Sequence, residues 1–178
     1  MRVIAGELRG RRLAAPPGTG TRPTSDRVRE ATFNALGSMG AIEDATVLDG
    51  FAGSGALGIE ALSRGAAHCT FVERDRAALA VLRANLDTCR LGPDRATVVA
   101  GDVRLADGSW DLALLDPPYA YDGWEALLSG LDASLAVCES GGPVPIPAGW
   151  AVAREKAYGA TVVRILRRSD VTLEEEPG

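Results

Sequence analysis

The chain has 178 residues, 46% of them hydrophobic and 24% charged, which is the core of one folded domain with little room for a second. No apolar run approaches the roughly 18 residues of a membrane span, and residues 1–6 lead too soon to Glu7 and Arg9 for a signal peptide. Cys69, Cys89 and Cys138 are scattered without a Cys-x-x-Cys pair, which argues against a disulfide framework and a thiolate zinc site and places the chain in the cytoplasm.

Residues 1–30 hold seven arginines against Glu7, Asp26 and Glu30, a net +4, so the remaining residues carry −9 of the overall −5. Strands are expected at 2–5 and 11–15, pairing as a short basic hairpin, and Thr24 or Ser25 can cap a helix over 26–36. From residue 47 a strand–turn–helix pattern repeats, which predicts a parallel α/β sheet. Short strands fall at 46–49, 70–73, 96–100, 111–115 and 135–138. Helices fall at 56–64, 76–91 and 124–131, the first two ending at Gly65 and at Gly92-Pro93. The segments 150–157 and 160–166 read as an antiparallel hairpin closing the sheet. The chain thus divides into a basic N-terminal hairpin and helix (1–40), an α/β domain (41–169) and a loose acidic tail (170–178).

Asp49-Gly50-Phe51-Ala52-Gly53-Ser54-Gly55-Ala56-Leu57-Gly58 follows the first sheet strand and opens a helix. Gly53, Gly55 and Gly58 satisfy G-x-G-x-x-G, and Glu73 lies at the end of the next strand. Glycines let the backbone approach a ligand, the helix start offers free amides, and the acid accepts from ribose hydroxyls. This is nucleotide-type chemistry; the alternative is a tight structural turn with Glu73 solvated. Asp116-Pro117-Pro118-Tyr119 leaves the fourth strand at the carboxyl edge of the sheet. Two prolines stop the strand and hold a carboxylate, a carbonyl and an aromatic ring in fixed relation. The Asp116 carboxylate and Pro117 carbonyl can accept both hydrogens of an exocyclic amine while Tyr119 stacks on its ring.

On these residues the chain resembles S-adenosylmethionine-dependent amino-group methyltransferases, which carry a Phe-Ala-Gly-Ser-Gly loop like 51–55 and an Asp-Pro-Pro-Tyr loop like 116–119. Three more segments, 22–30, 60–66 and 154–156, make it similar to the bacterial RsmD family, which methylates the N2 amine of one guanine in 16S ribosomal RNA. The resemblance runs from about residue 2 to 168. It implies a Rossmann-like class I fold with a mostly parallel seven-stranded sheet. It further implies that Asp49, Phe51, Ala52, Gly53, Ser54 and Gly55 hold the methionine part of S-adenosylmethionine, Glu73 the ribose and Asp102 the adenine amine. Asp116, Pro117, Pro118 and Tyr119 would hold the guanine. Arg9, Arg11, Arg12, Arg22, Thr24, Arg27 and Arg29 would face the RNA or shape the pocket mouth. The implied partner is 16S rRNA in the small ribosomal subunit or its assembly intermediate, met by a monomer away from membranes. Gly50 departs from the bulkier residue usual there, which would loosen the loop, and the short connection 103–110 puts the adenine wall in question.

A guanine N2 lone pair is delocalised into the ring, and two acceptors on its hydrogens can turn it toward the methyl group. The sulfonium is already an activated electrophile, so the chemistry needs no metal; S-adenosylhomocysteine is the product. Three other functions share some of these features. An adenine-N6 methyltransferase acting on DNA or RNA uses the same tetrapeptide. A nicotinamide-dependent oxidoreductase fits the glycines and Glu73 but has no use for Asp116-Pro117-Pro118-Tyr119. An RNA-binding module explains only the basic arm.

Overall fold

In the computed structural model, which describes residues 1–16 and 26–169, the elements follow in chain order. They are α1 (Asp26–Ser38), β1 (Thr46–Asp49), α2 (Ala56–Ser63), β2 (His68–Glu73), α3 (Arg76–Cys89), β3 (Ala96–Ala100), β4 (Trp110–Leu115), α4 (Trp124–Gly130), β5 (Ala133–Ser140), β6 (Trp150–Tyr158) and β7 (Thr161–Arg168). The strands form one sheet in the order β3-β2-β1-β4-β5-β7-β6. The first five in that order run parallel, and β7 and β6 run antiparallel to close it. The central strands are apolar on both faces because both are covered. On one side α1, α2, α3 and the N-terminal arm bury Val3, Phe33, Leu62, Phe71 and Leu82. On the other, α4 packs with Trp110, Trp124 and Trp150. No helix among the described residues is long and apolar enough to cross a membrane.

The expected fold and sheet strands hold, with shifted boundaries, but the strands expected at 2–5 and 11–15 reduce to one isolated bridge. β2 starts at His68, earlier than expected, because both ring nitrogens are tied, Nδ1 to the Asp94 carbonyl at 3.1 Å and Nε2 to Thr97 Oγ1 at 2.9 Å. The closing hairpin turns at Gly159 and Ala160, and Gly159 takes the left-handed φ of +63° that the turn requires. The proposed caps Thr24 and Ser25, and the acidic tail 170–178, lie outside the described residues.

The N-terminal arm is held by buried polar groups. Its two limbs meet in a single bridge between Arg2 and Arg12, and the Val3 and Leu13 amides donate to the Arg11 and Met1 carbonyls at 2.9 and 3.0 Å. The Glu60 carboxylate is fully enclosed. It accepts from the Ile4 amide at 2.8 Å, the Ala5 amide at 3.1 Å and Arg64 Nε at 2.7 Å, with Arg29 Nε at 3.9 Å. One turn on, the Ser63 hydroxyl donates to the Ala5 carbonyl at 2.5 Å and accepts the Leu8 amide at 3.0 Å. A side chain at Gly6, with its φ of +82°, would collide with the Ser63 backbone, so this close approach requires glycine.

Glu60→Ala removes an acceptor shared by two backbone amides and leaves two arginines without their buried partner. Urea unfolding should show a loss of about 3–5 kcal/mol. Trypsin should cut the variant at Arg9, Arg11 or Arg12 well before the wild type.

Candidate active site

Parallel pairing brings the carboxyl ends of four adjacent strands to one edge, and each end supplies an acid. Asp49 ends β1, Glu73 ends β2, Asp102 follows β3 and Asp116 follows β4. The residues between Asp49 and α2 form the glycine loop. Gly53 and Gly55 have φ of +54° and +82°, and Gly55 caps α2 without a side-chain bond. A Cβ on Gly58 would lie 2.6 Å from Cys69 Sγ, so the third glycine sets how closely α2 packs on β2. Gly50 does not loosen the loop, contrary to expectation. A Cβ there would meet Leu115 Cδ2 at 2.8 Å and Val103 Cγ2 at 2.9 Å, so those side chains already fill the space.

Asp49 is wholly buried and accepts the Gly58 amide at 2.9 Å. Burial pushes its carboxyl up to about 7; the Gly58 amide opposes the rise, and the Asp116 and Glu73 carboxylates add to it. Glu73 accepts the Gly53 amide at 2.8 Å through one oxygen and the Asp75 amide at 2.7 Å through the other, which aims it along the loop. The Ala52 amide donates to the Val72 carbonyl at 3.0 Å, and the half-buried Phe51 ring packs edge-on against Tyr121 with centroids 5.2 Å apart. Ser54 is buried, its hydroxyl 3.5 Å from Met1 Sδ. Asn85 is a loop-holding residue the sequence pattern missed. Its buried amide donates to the Ser54 carbonyl at 2.8 Å and to the Ala14 carbonyl at 3.0 Å, and its oxygen accepts the Ala14 amide at 2.9 Å. The available signal was an amide on the buried face of α3, where apolar residues otherwise recur.

Asp102 caps the short helical turn Val103–Leu105 and chelates Arg104, with Oδ1 to Nε at 2.8 Å and Oδ2 to Nη2 at 3.2 Å. Arg104's side-chain and backbone donors hold the Asp102 carboxyl down at about 2. A donor arriving here would share the carboxylate with Arg104. After β4, Asp116 is half-buried, Pro117 buried and Pro118 exposed. The Tyr119 ring is 61% exposed, with its hydroxyl 3.5 Å from Thr161 Oγ1 at the start of β7. A Cβ on Gly141 would lie 2.5 Å from Tyr119 Cδ1, so Tyr119 lies directly on this glycine. The residues 117–119 and the 139–143 turn bound a cavity of about 110 Å³. Gly141 was missed because it becomes a neighbour of Tyr119 only through the β4–β5 pairing.

The basic residues divide. Arg9, Arg11, Arg12 and Arg27 are exposed. Arg9 sits at the hairpin turn, held to the C-terminal end of α2, and Arg11 donates to the Thr88 carbonyl near the end of α3 at 3.3 Å. The turn that carries Arg9 is thus at the far end of α2 from the glycine loop, whereas Arg11 meets α3 one helical turn from Asn85, which holds the loop. Arg29 corrects the expectation that it faces RNA. It is 2% exposed, bonded to the Arg2 carbonyl and to Asp26 Oδ1 at 3.1 Å, and close to Glu60. It is a core cation that secures the arm. Arg22 and Thr24 lie outside the described residues.

The sheet order, the antiparallel closing strands and the acid-lined glycine edge define a Rossmann-like α/β protein of the methyltransferase class. The chain belongs to the family described as conserved hypothetical protein 95, the RsmD family, which matches residues 1–167. It is 40% identical over 180 residues to Escherichia coli K12 ribosomal RNA small subunit methyltransferase D, covering 94% of this chain and 90% of that one. The Haemophilus influenzae protein of the same name is 36% identical, with coverage of 93% and 92%. A solved Escherichia coli structure, "Putative methyltransferase yhhF", superposes with a TM-score of 0.81 at 39% identity, covering 94% of this chain and 97% of that one.

The raised Asp49 carboxyl predicts a pH-dependent cost. Unfolded, an aspartate titrates near 4; folded, Asp49 titrates near 7. Between those values the folded state holds the extra proton, so this group's contribution to stability falls as pH rises from about 4 to 7 and then levels off. Asp49→Asn should remove that slope. Urea midpoints at pH 5 and 7.5 should show the wild type losing on the order of 2 kcal/mol more than the variant.

Proposed function

We propose that this protein transfers a methyl group from S-adenosylmethionine to the exocyclic N2 of a guanine in 16S rRNA, at a site of the guanine-966 type. What carries this reading is the placement of Asp116-Pro117-Pro118-Tyr119 beside a cavity, at the same strand edge as the glycine loop, Asp49 and Glu73. The relatives' names support an rRNA substrate. In this reading the enzyme meets 16S rRNA in the small subunit or its assembly intermediate, as a cytoplasmic monomer.

The residues present fit the cofactor. A sulfonium and an α-ammonium are both cationic, and Asp49, Glu73 and Asp116 lie close enough to raise Asp49's titration together. Gly53 and Gly55 keep the backbone free of side chains where the cofactor would lie. S-adenosylmethionine supplies an activated methyl group when bound. Asp49 and the loop backbone would hold its amino-acid end, Glu73 would accept from the ribose, and Asp102 would receive the adenine amine beside Arg104.

The chain's own work is to position the amine. Asp116 and the Pro117 carbonyl accept the two N2 hydrogens, which turns the nitrogen lone pair away from the ring and toward the methyl carbon. Tyr119 covers the base face from its seat on Gly141. S-adenosylmethionine held there would supply the methyl carbon to this nitrogen, with S-adenosylhomocysteine as the product. The Asp116 carboxylate balances the positive charge growing on nitrogen, and the proton leaves after transfer, when the amine is acidic. Fixed alignment in such a site can lower the barrier by several kcal/mol, up to about 7–11.

Tritiated S-adenosylmethionine should label small-subunit particles from cells lacking this modification, and digestion should place the label in N2-methylguanosine. Label in N6-methyladenine, or in added DNA, would keep the chemistry and replace the substrate. Asp116→Ala should cut transfer by at least about 100-fold. Calorimetry should find its S-adenosylhomocysteine affinity within about twofold of wild type, because Asp116 faces the base; lost cofactor binding would reassign the residue.

A further inference from the structure

A second surface lies outside the residues discussed so far. A groove of about 450 Å³ runs between α1 and the edge strand β6. One wall is the small, neutral stripe of α1 that includes Ala31, Asn34 and Ser38. The other is β6, whose alternating residues Arg154, Lys156 and Tyr158 share the sheet face with Val163 and Ile165, their neighbours across the hairpin. Lys156 Nζ lies 5.4 Å from the Tyr158 ring centroid. Among the described residues no carboxylate pairs with Arg154 or Lys156. Glu155, between them in sequence, is ion-paired with Arg164. Arg27, one turn before Ala31 on the same stripe of α1, is exposed and extends the row of cations.

The groove leads to the catalytic edge. Tyr158 pairs with Thr161 across the hairpin turn, Thr161 approaches the Tyr119 hydroxyl at 3.5 Å, and Val162 pairs with Ser140 at the end of β5. The geometry points to this groove as the track for the substrate RNA backbone. Arg154 and Lys156 take successive phosphates, and Tyr158 guides the strand toward the catalytic loop. This assignment rests on the rRNA reading above. Residues two apart on a strand place their side chains about 7 Å apart on one face, a spacing that neighbouring phosphates can meet. The small α1 wall admits a backbone, and with Glu155, which also lines the groove, occupied by Arg164, two cations without a carboxylate partner among the described residues suit a polyanion better than an apolar partner.

The test uses a double variant, Arg154→Gln with Lys156→Gln, which keeps the side-chain stems. A control, Arg83→Gln with Arg90→Gln, removes equal charge from exposed positions at α3. Binding of a 16S rRNA transcript is measured across a salt series, alongside KM for small-subunit particles and S-adenosylhomocysteine affinity. The double variant should lose about 1.4–1.8 from the log–log salt slope. Its KM should rise roughly tenfold, with S-adenosylhomocysteine affinity unchanged. A wild-type slope and KM in the double variant, or an equal loss in the control, overturns the groove. If wild type binds the transcript with the predicted dependence on Arg154 and Lys156 but transfers no methyl, the groove stands and the methyltransferase reading falls.

Discussion

The Asp49 carboxylate is enclosed at the end of β1 and accepts the Gly58 amide from the first turn of α2. That bond fixes both ends of the loop between them, so six residues must reverse direction over a short span. Gly53 and Gly55 do so in left-handed conformations that other residues adopt only with strain. Burying the charge is unfavourable, and Asp116 and Glu73 add to the cost instead of relieving it. A cation brought to Asp49 removes that cost, so the same enclosure that weakens the empty fold favours a positively charged ligand.

Helix α2 carries the second constraint. Its start faces Asp49, while Glu60 and Ser63 on its other face bind the N-terminal arm. The arm then returns to the glycine loop, because Ala14 and the Ser54 carbonyl share Asn85. The loop is therefore braced from beneath by β1 and from above by a segment some 40 residues earlier in the chain. Arg29 completes the brace. Burial draws its guanidinium below the usual value while Glu60 and Asp26 oppose the shift, as expected of a cation kept inside by its partners.

Local signals were enough for the sheet, the glycine loop and the Asp116-Pro117-Pro118-Tyr119 turn. Their chemistry is contained within a few consecutive residues, and strand direction alone brings Asp49, Glu73, Asp102 and Asp116 to one edge. Arg29 was misplaced because neither a motif resemblance nor a basic segment records burial. It shares the basic segment with exposed Arg27, and only the helix face separates them. Gly141 and Asn85 act through partners 22 and 31 residues away, on other elements, so no local pattern marks them. Gly50 shows the converse. A substitution that looks like a loosened loop is compensated by Leu115 and Val103 from two other segments.

For the proposed reaction an acidic protein with an acidic cleft would have to bring a polyanion to that cleft, and the direction of the strands separates the two tasks. The four parallel strands that bear the site end in carboxylates, which suits a cationic methyl donor and the hydrogens of an amine. The antiparallel pair adds a strand outside that set, and its cations stand on the sheet face, not on the edge. Arg154 and Lys156 are thereby kept away from Asp49 and Asp116, where they would neutralise the carboxylates. Over distances beyond about 8–10 Å, solvent ions screen the repulsion between the cleft and the phosphates on the flank. On the proposed reading only the target base, which carries no charge, would then have to enter the acidic edge, and Tyr119 on Gly141 stands where the flank meets that edge.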